Sequence, residues 1–198
     1  MEDIASAPDY GGPIIIILTN IILTMIALVL AFQKINFYGK YATEVGRFIA
    51  QFVILSMFII AGLFFVRWLV KSIIVRYVCG TEADWDLKTA ISITGYAYFA
   101  DVIVSVIGLF LLWYLLPTIT INMDNLQTAT QTLNDYAAQF SQLKLIYTLP
   151  ISLFGLLWKS YLGGLGAHFG TKEKCSLKKG IITFLILSSI GIILSYVI

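Results

Sequence analysis

The chain has 198 residues, of which 59% are hydrophobic and 12% are charged, and its formal net charge is +2. With a mean hydropathy of +0.90, this composition excludes an ordinary soluble domain. The small net charge, spread over no single basic face, argues against a nucleic-acid partner. We therefore expect an integral membrane protein with almost no soluble part.

The hydrophobic residues fall into five long blocks. A bilayer core about 30 Å thick is crossed by roughly 20 helical residues, and backbone polar groups in lipid must be satisfied within the segment. Each block is therefore predicted to be a transmembrane helix. The predicted spans are residues 13–32, 48–66, 90–117, 145–167 and 180–198. The predicted fold class is all-α, with residues 1–198 forming a single membrane domain, a bundle of five transmembrane helices.

The segment before the first span carries acidic residues and no lysine or arginine. A cleavable signal peptide needs a positively charged start, so the first span is expected to remain in the mature protein. The segment ends with Asp9, Gly12 and Pro13. Taken alone, this is a turn and a helix start, because proline suits the first helical position and Asp9 favours the positive helix end.

The distribution of basic residues predicts the orientation of the bundle. Nine lie on the predicted side of the N-terminus: Arg67, Lys71, Arg76, Lys88, Lys159, Lys172, Lys174, Lys178 and Lys179. Four lie on the other side: Lys34, Lys40, Arg47 and Lys144. Because basic residues collect in cytoplasmic loops, we expect the N-terminus inside and the C-terminus outside. Cys79 and Cys175 then face the cytoplasm, where thiols stay reduced.

One long loop, residues 118–144, is predicted to lie outside, between the third and fourth spans. Its apolar residues recur at three- and four-residue steps, which predicts an amphipathic helix over about 124–143 with Asp124 as N-cap. The residues expected to be buried are Leu126, Leu133, Tyr136 and Phe140. Two interpretations stay open: a helix lying flat over the bundle mouth, or a lid or partner-docking element.

The third span opens with Gly95, Tyr96 and Ala97. Tyrosine is common at the membrane interface, so this stretch alone is an aromatic belt segment. Combined with Asp9, Gly12 and Pro13 at the first span and with five spans, however, the chain resembles the Yip family, the Ypt/Rab-GTPase-interacting membrane proteins. The resemblance runs over essentially the whole chain. Its motif residues are Asp9, Gly12, Pro13, Gly95 and Tyr96.

The Yip resemblance implies a role in membrane organisation, trafficking or curvature, often through partner proteins, and no established catalytic residues. Eukaryotic members carry a long cytosolic N-terminal region, whereas about a dozen residues precede the first span here. We therefore expect a prokaryotic-type member in a cytoplasmic membrane. A proline that often follows the G-Y stretch in the family is replaced here by Phe99, Ala100 and Asp101.

Three polar residues, Asn20, Asp101 and Lys159, fall inside predicted spans at a similar depth. Helical rise places Asp101 about 24 Å and Lys159 about 21 Å from the outer boundary, and Asn20 roughly 10 Å from the inner one. Ionisable groups in a bilayer are commonly paired and functional. Three interpretations stay open: an Asp101–Lys159 pair, a Lys159 that snorkels while Asp101 bonds locally, or a transport or proton site.

Small residues accompany the polar ones on the same helix faces. Ala97, Ser105 and Gly108 share a stripe with Asp101, and Gly155 and Gly163 flank Lys159. Such stripes let helices approach closely, so the third and fourth spans are expected to pack together. Similar faces could bind partner proteins or a second copy of the chain.

No motif of an intramembrane enzyme is present, and no catalytic, cofactor-binding or metal site is predicted. His168, near Cys175 and Cys79, lacks a metal-ligand spacing and is interpreted as an interfacial structural histidine. The sequence thus predicts a non-catalytic scaffold working through protein partners or membrane lipids. The alternative is a small transporter or channel that uses Asn20, Asp101 and Lys159.

Overall fold

The computed structural model describes residues 1–80 and 85–197, apart from the side chains of residues 126 and 191–197. Helices dominate the fold. In chain order the helices are α1 (Glu2–Ser6), α2 (Gly11–Gln33), α3 (Ala42–Cys79), α4 (Leu87–Ala97), α5 (Phe99–Leu115), α6 (Leu126–Leu143), α7 (Leu149–Gly170) and α8 (Leu177–Val197). Two short strands, β1 (Ile35–Tyr38) and β2 (Ile119–Asn122), and a π-turn (Lys144–Thr148) complete the described elements.

Four helical segments are long and apolar enough to cross a membrane: Gly11–Gln33, Ala42–Cys79, Leu87–Leu115 and Gln127–Gly170. An all-α multi-pass membrane architecture is therefore supported. The fifth predicted span, residues 180–198, lies on α8, but much of its apolar surface falls outside the described residues. The count of five spans accordingly stays a prediction.

The second span is much longer than predicted. We expected residues 48–66 followed by a loop that holds Arg67, Lys71 and Arg76, whereas α3 runs unbroken to Cys79. The loop assignment of these three basic residues was wrong. No proline or glycine interrupts the segment after Val66, and α3 ends only at Gly80, which adopts a φ of 152° that suits glycine.

The third span is broken where the sequence predicted one continuous helix. Tyr98 separates α4 from α5. Its N–H donates to the carbonyl oxygen of Gly95, three residues earlier, with an N···O distance of 3.1 Å. The Tyr98 carbonyl also accepts the side-chain amide of Asn20 at 3.2 Å. A side chain from α2 therefore helps to satisfy the backbone at this break, as irregular backbone inside a bundle requires.

The two short strands, which the sequence did not predict, join the loop after α2 to the loop after α5. β1 and β2 pair in parallel, with Ile35 opposite Ile119 and Tyr38 opposite Asn122. Their pairing places the loop after α2 and the loop after α5 at one end of the bundle, which we call the sheet end. The opposite end, which carries α1 and the turn between α7 and α8, is the N-terminal end.

The amphipathic helix exists as α6, but its N-cap and its C-terminal end differ from the prediction. Its N-cap is Asn125, which accepts the Thr128 N–H at 3.2 Å, while Asp124 instead accepts the Lys40 N–H at 2.7 Å. It continues through the π-turn into α7. Ala129 and Tyr136 are buried, and the Tyr136 hydroxyl donates to the Ala31 carbonyl of α2 at 3.4 Å.

Burial along α6 follows the predicted stripe only in part. Phe140 is half-buried, whereas Leu133, expected to be buried, is 39% exposed. Leu126 was also expected to be buried, but its side chain lies outside the described residues. Besides Tyr136, Ala129 also holds α6 on the bundle. It packs on Ile121 of β2, an element that the sequence did not predict.

The expected contact between the third and fourth spans is confirmed at Gly155. A Cβ on Gly155 would lie 2.4 Å from Val104 of α5, so the absence of a side chain allows the two helices to touch. Gly163 of α7 makes a similar approach to α8, since its Cβ would lie 2.2 Å from the Phe184 ring. These two small residues are therefore used within the chain.

Candidate functional site

The two motifs that suggested a family contact each other at the N-terminal end. The Tyr96 hydroxyl lies 3.2 Å from Asp9 Oδ1, to which it donates. A Cβ on Gly12 would lie 2.0 Å from the Tyr96 oxygen, so the glycine makes room for the tyrosine. The motif residues at the start of α2 and those of α4 thus form one contact.

Gly95 and Pro13 form the second part of this motif contact. A Cβ on Gly95 would lie 2.4 Å from Pro13 Cβ, and Pro13 is fully buried. Trp68 of α3 closes the site from the side: its Nε1–H donates to the Ile91 carbonyl at 3.1 Å. All five motif residues therefore lie together. Their contacts pack the start of α2 against α4.

Asp101 and Lys159 form an ion pair inside the bundle. Lys159 Nζ lies 2.8 Å from Asp101 Oδ1 and 2.6 Å from Oδ2. The lysine side chain is 5% exposed and the aspartate side chain 26%. The structure therefore shows an Asp101–Lys159 pair and not a snorkelling lysine, which would point away from the carboxylate.

Asn20 lies nearby but does not bond to this ion pair. Its side-chain amide donates to the Ile16 carbonyl at 3.0 Å and to the Tyr98 carbonyl at 3.2 Å. The residue is 1% exposed, and its Oδ1 has no hydrogen-bond partner among the described residues. Asn20 therefore binds the break between α4 and α5, three residues before Asp101.

Sequence reasoning missed the second buried lysine, Lys71. It is 3% exposed, its Nζ donates to Ser188 Oγ of α8, and it lies 5.0 Å from the Phe184 ring. A helical pattern could have revealed it, since Trp68, Lys71 and Val75 recur at three- and four-residue steps. Counting Lys71 as a loop residue hid that pattern.

Tyr98 lies between the two lysines. Lys71 Nζ is 5.3 Å and Lys159 Nζ 5.0 Å from its ring centroid, distances at which cations are attracted to an aromatic face. The Tyr98 hydroxyl has no partner among the described residues. We call the following set the polar layer: Asn20, Lys71, Tyr98, Asp101, Lys159 and Ser188.

The polar layer lies near the middle of the membrane segments. By helical rise, Asn20 is about 14 Å into α2, and Lys71 is about 12 Å from the end of α3. Lys159 is about 17 Å from the end of α7, roughly half of a hydrocarbon core about 30 Å thick. The layer holds two lysines and one carboxylate, with Arg67 half-buried one turn before Lys71. Its formal charge is therefore positive.

Outside the membrane segments, Asp86 caps α4 at the N-terminal end. Its carboxylate accepts the Thr89 N–H at 2.7 Å, and this backbone hydrogen bond lowers the pKa of Asp86 below its usual 3.8. His168 lies at the same end, where its Nδ1 is 2.8 Å from the Cys175 carbonyl oxygen. Within the described part of the chain, no group of three His, Cys, Asp or Glu residues could hold a metal ion.

Comparison of the chain with protein-family profiles, with curated proteins and with solved structures gives no significant match. Membership of the Yip family therefore stays a prediction from the motif residues. The polar layer can bind and orient charge inside the membrane, and the motif contact can fix the start of α2 on α4.

Proposed function

We propose that this chain is a non-catalytic membrane-organising protein of the Yip type, acting through partner proteins or lipid. One observation carries the proposal: the carboxylate of the polar layer is paired within the layer, and most side chains of the layer are buried. Lys159 bonds both oxygens of Asp101, and Asn20 and Lys71 are at most 3% exposed. A bundle closed at this depth is suited to structural support more than to passage of a solute.

The motif contact supports the same function. Asp9, Gly12 and Pro13 are engaged with Gly95 and Tyr96 in packing between helices, which is a structural use of these residues. Such packing needs neither a cofactor nor a catalytic group, in keeping with the absence of established catalytic residues in the family that the motifs suggest.

The large exposed apolar surface of α3 supports contact with partners or lipid. Phe48, Phe58 and Leu63 are 69%, 73% and 62% exposed. A photo-crosslinking amino acid at Phe58, in native membranes, should give a discrete protein adduct, and the same group at Trp68, which is 4% exposed, should give none. Absence of any adduct at Phe58 and at Tyr114, which is 88% exposed, would contradict a partner role.

The proposed topology has five spans, with the N-terminus in the cytoplasm and the C-terminus outside a prokaryotic cytoplasmic membrane. Native Cys79 and Cys175 are buried, so both are replaced by serine and single cysteines are placed at exposed Glu2 or Gln131. An impermeant maleimide added to intact cells should label Cys at 131 and leave Cys at 2 unlabelled. Labelling at position 2 alone would reverse the orientation.

A small transporter or channel is the second candidate, and one observation favours it. The polar layer holds two lysines and one carboxylate, and the Tyr98 hydroxyl, which can donate a hydrogen bond, has no partner among the described residues. The lysine ammonium groups and this hydroxyl could hold an anion in transit. Anion flux into proteoliposomes that is abolished by Lys71→Met, with the protein still folded, would favour transport over the scaffold.

A further inference from the structure

A cavity of about 270 Å³ lies between α2, α5 and the π-turn, separate from the polar layer. Leu23 and Ala27 form one wall and Leu112 another, with Tyr147 and Thr148 of the π-turn opposite. Leucines are the commonest residues in the rest of the lining, which also includes Thr24 and Ser105. We call this cavity the apolar groove.

The depth of the apolar groove places it in the leaflet nearest the sheet end. Ala27 is about 9 Å and Leu23 about 15 Å from the end of α2 by helical rise. Both positions lie within one leaflet of a hydrocarbon core about 30 Å thick. A groove at this depth meets lipid chains before it meets water.

Among the described residues, a single lysine carries the charge in the lining of the groove. Lys144 is the one charged residue among the described residues that line it, and no carboxylate lines it. Lys34 lies at the same end, with its Nζ 4.7 Å from the ring of Trp113, which follows the lining residue Leu112. Basic residues at a membrane boundary attract anionic lipid headgroups.

The π-turn is a second, independent sign of a built site. It spans Lys144–Thr148, and its first and last residues both line the groove. A π-turn adds one residue to a helical turn, and such turns occur frequently at functional sites. Here it joins α6 to α7, and Lys144, Tyr147 and Thr148 all line the cavity.

The geometry points to a binding site for an anionic glycerophospholipid, with one acyl chain in the apolar groove and the headgroup at Lys144. Drug-sized ligands occupy sites of about 300–1,000 Å³, so a cavity of about 270 Å³ holds part of one chain and leaves the headgroup outside. This inference rests on the proposed function, in which the protein acts through partner proteins or through lipid.

Two glycines provide a matched pair of variants for the groove. Gly108 lines it, and the nearest atom to an added Cβ would be Thr148 Cγ2 at 4.0 Å. Gly62 lies on the exposed surface of α3 with nothing within 4 Å of an added Cβ. Gly108→Leu should fill the groove. Gly62→Leu is the matched control, because it makes the same substitution at a helix surface outside the groove.

Lipid binding is measured by native mass spectrometry of the full chain titrated with dioleoylphosphatidylglycerol or dioleoylphosphatidylcholine, which share their acyl chains. Gly108→Leu should weaken binding of both lipids by about tenfold, the effect of withdrawing about two chain methylenes from an apolar site. Lys144→Gln should weaken phosphatidylglycerol by about fivefold and leave phosphatidylcholine unchanged. Gly62→Leu and Lys40→Gln should bind as the unmodified chain does.

Equal binding by Gly108→Leu and the unmodified chain would overturn the groove site, and equal loss of both lipids in Lys144→Gln would overturn the anionic preference. Should Gly108→Leu fail to fold, a phosphatidylglycerol with a diazirine at the chain end decides the case in the unmodified chain. It should label residues 99–115 or 144–148, and labelling confined to residues 48–66 would overturn the proposal. Absence of lipid binding by the unmodified chain, with protein adducts still formed at Phe58, would overturn this site and leave the partner role standing.

Discussion

The two ends of the bundle are built differently. In the half nearer the N-terminal end, glycines such as Gly163 bring helices into close contact, and Lys159 is buried in an ion pair with Asp101. Towards the sheet end, α3 presents Phe48 and Phe58 outward, and residues of α2, α5 and the π-turn line the apolar groove. Because lipid is as apolar as leucine, close packing and polar contacts hold membrane helices together. The first half has both, and the second leaves surface for other molecules.

The largest effect should come from breaking the ion pair in the tightly packed half. Asp101→Asn or Lys159→Met alone should lower the free energy of unfolding by about 3–5 kcal/mol, because each leaves one buried partner uncompensated. The double variant should lose less than the sum of the two single losses. A double-mutant cycle on unfolding in detergent measures this coupling, and strict additivity would mean that the pair contributes nothing as a pair.

Substituting glycines should have a smaller effect on stability, and the effect should differ between the two halves of the bundle. Gly163→Ala should destabilise the protein by about 1–3 kcal/mol, since its Cβ would meet the Phe184 ring at 2.2 Å. Gly62→Ala should stabilise it by up to about 1 kcal/mol, because alanine favours helix and nothing lies near. Thermal unfolding of both variants tests the contrast, and equal effects at the two sites would remove it.

The sequence predicted the membrane character, the common level of Asp101 and Lys159, and an amphipathic helix before the fourth span, because hydropathy and helical period are local signals. It could not predict the parallel β1–β2 pairing or the break at Tyr98, since both depend on partners distant in the chain. The burial of Lys71 was missed for a different reason: positive charge was interpreted as a loop signal, although the helical period continued through it.

The cap of α4 should give an effect of about 1 kcal/mol at neutral pH. Asp86→Ala removes the acceptor of the Thr89 N–H, and caps contribute about 0.5–2 kcal/mol. Because the pKa of Asp86 is lowered in the folded protein below 3.8, its contribution is present above that pH and is lost as pH falls through the folded value. Melting temperatures of both proteins should therefore differ at pH 7 and converge only as pH falls through the folded pKa, which lies below 3.8. A constant difference would contradict a charged cap.

The smallest effect should come from the motif contact, which lies at the exposed end of the packed half. Tyr96→Phe should cost about 0.5–1.5 kcal/mol through loss of the hydrogen bond to Asp9. Gly12→Ala should displace the Tyr96 hydroxyl and lower the free energy of unfolding by a similar amount in the unmodified chain. The same substitution should lower it by less in a chain that already carries Tyr96→Phe. Chemical unfolding of the three variants measures this, and independent effects would mean that the two residues do not compete for space.

Water access to the polar layer tests the central claim, a closed bundle, most directly. In the chain with Cys79 and Cys175 replaced by serine, a cysteine is placed at Asn20, which is 1% exposed, or at the exposed Lys40. A small charged thiosulfonate is applied to each side of proteoliposomes in turn. The account predicts labelling at position 40 from one side and none at position 20 from either side. Rapid labelling at position 20, with the protein still folded, would reveal an aqueous path and contradict the account in favour of transport.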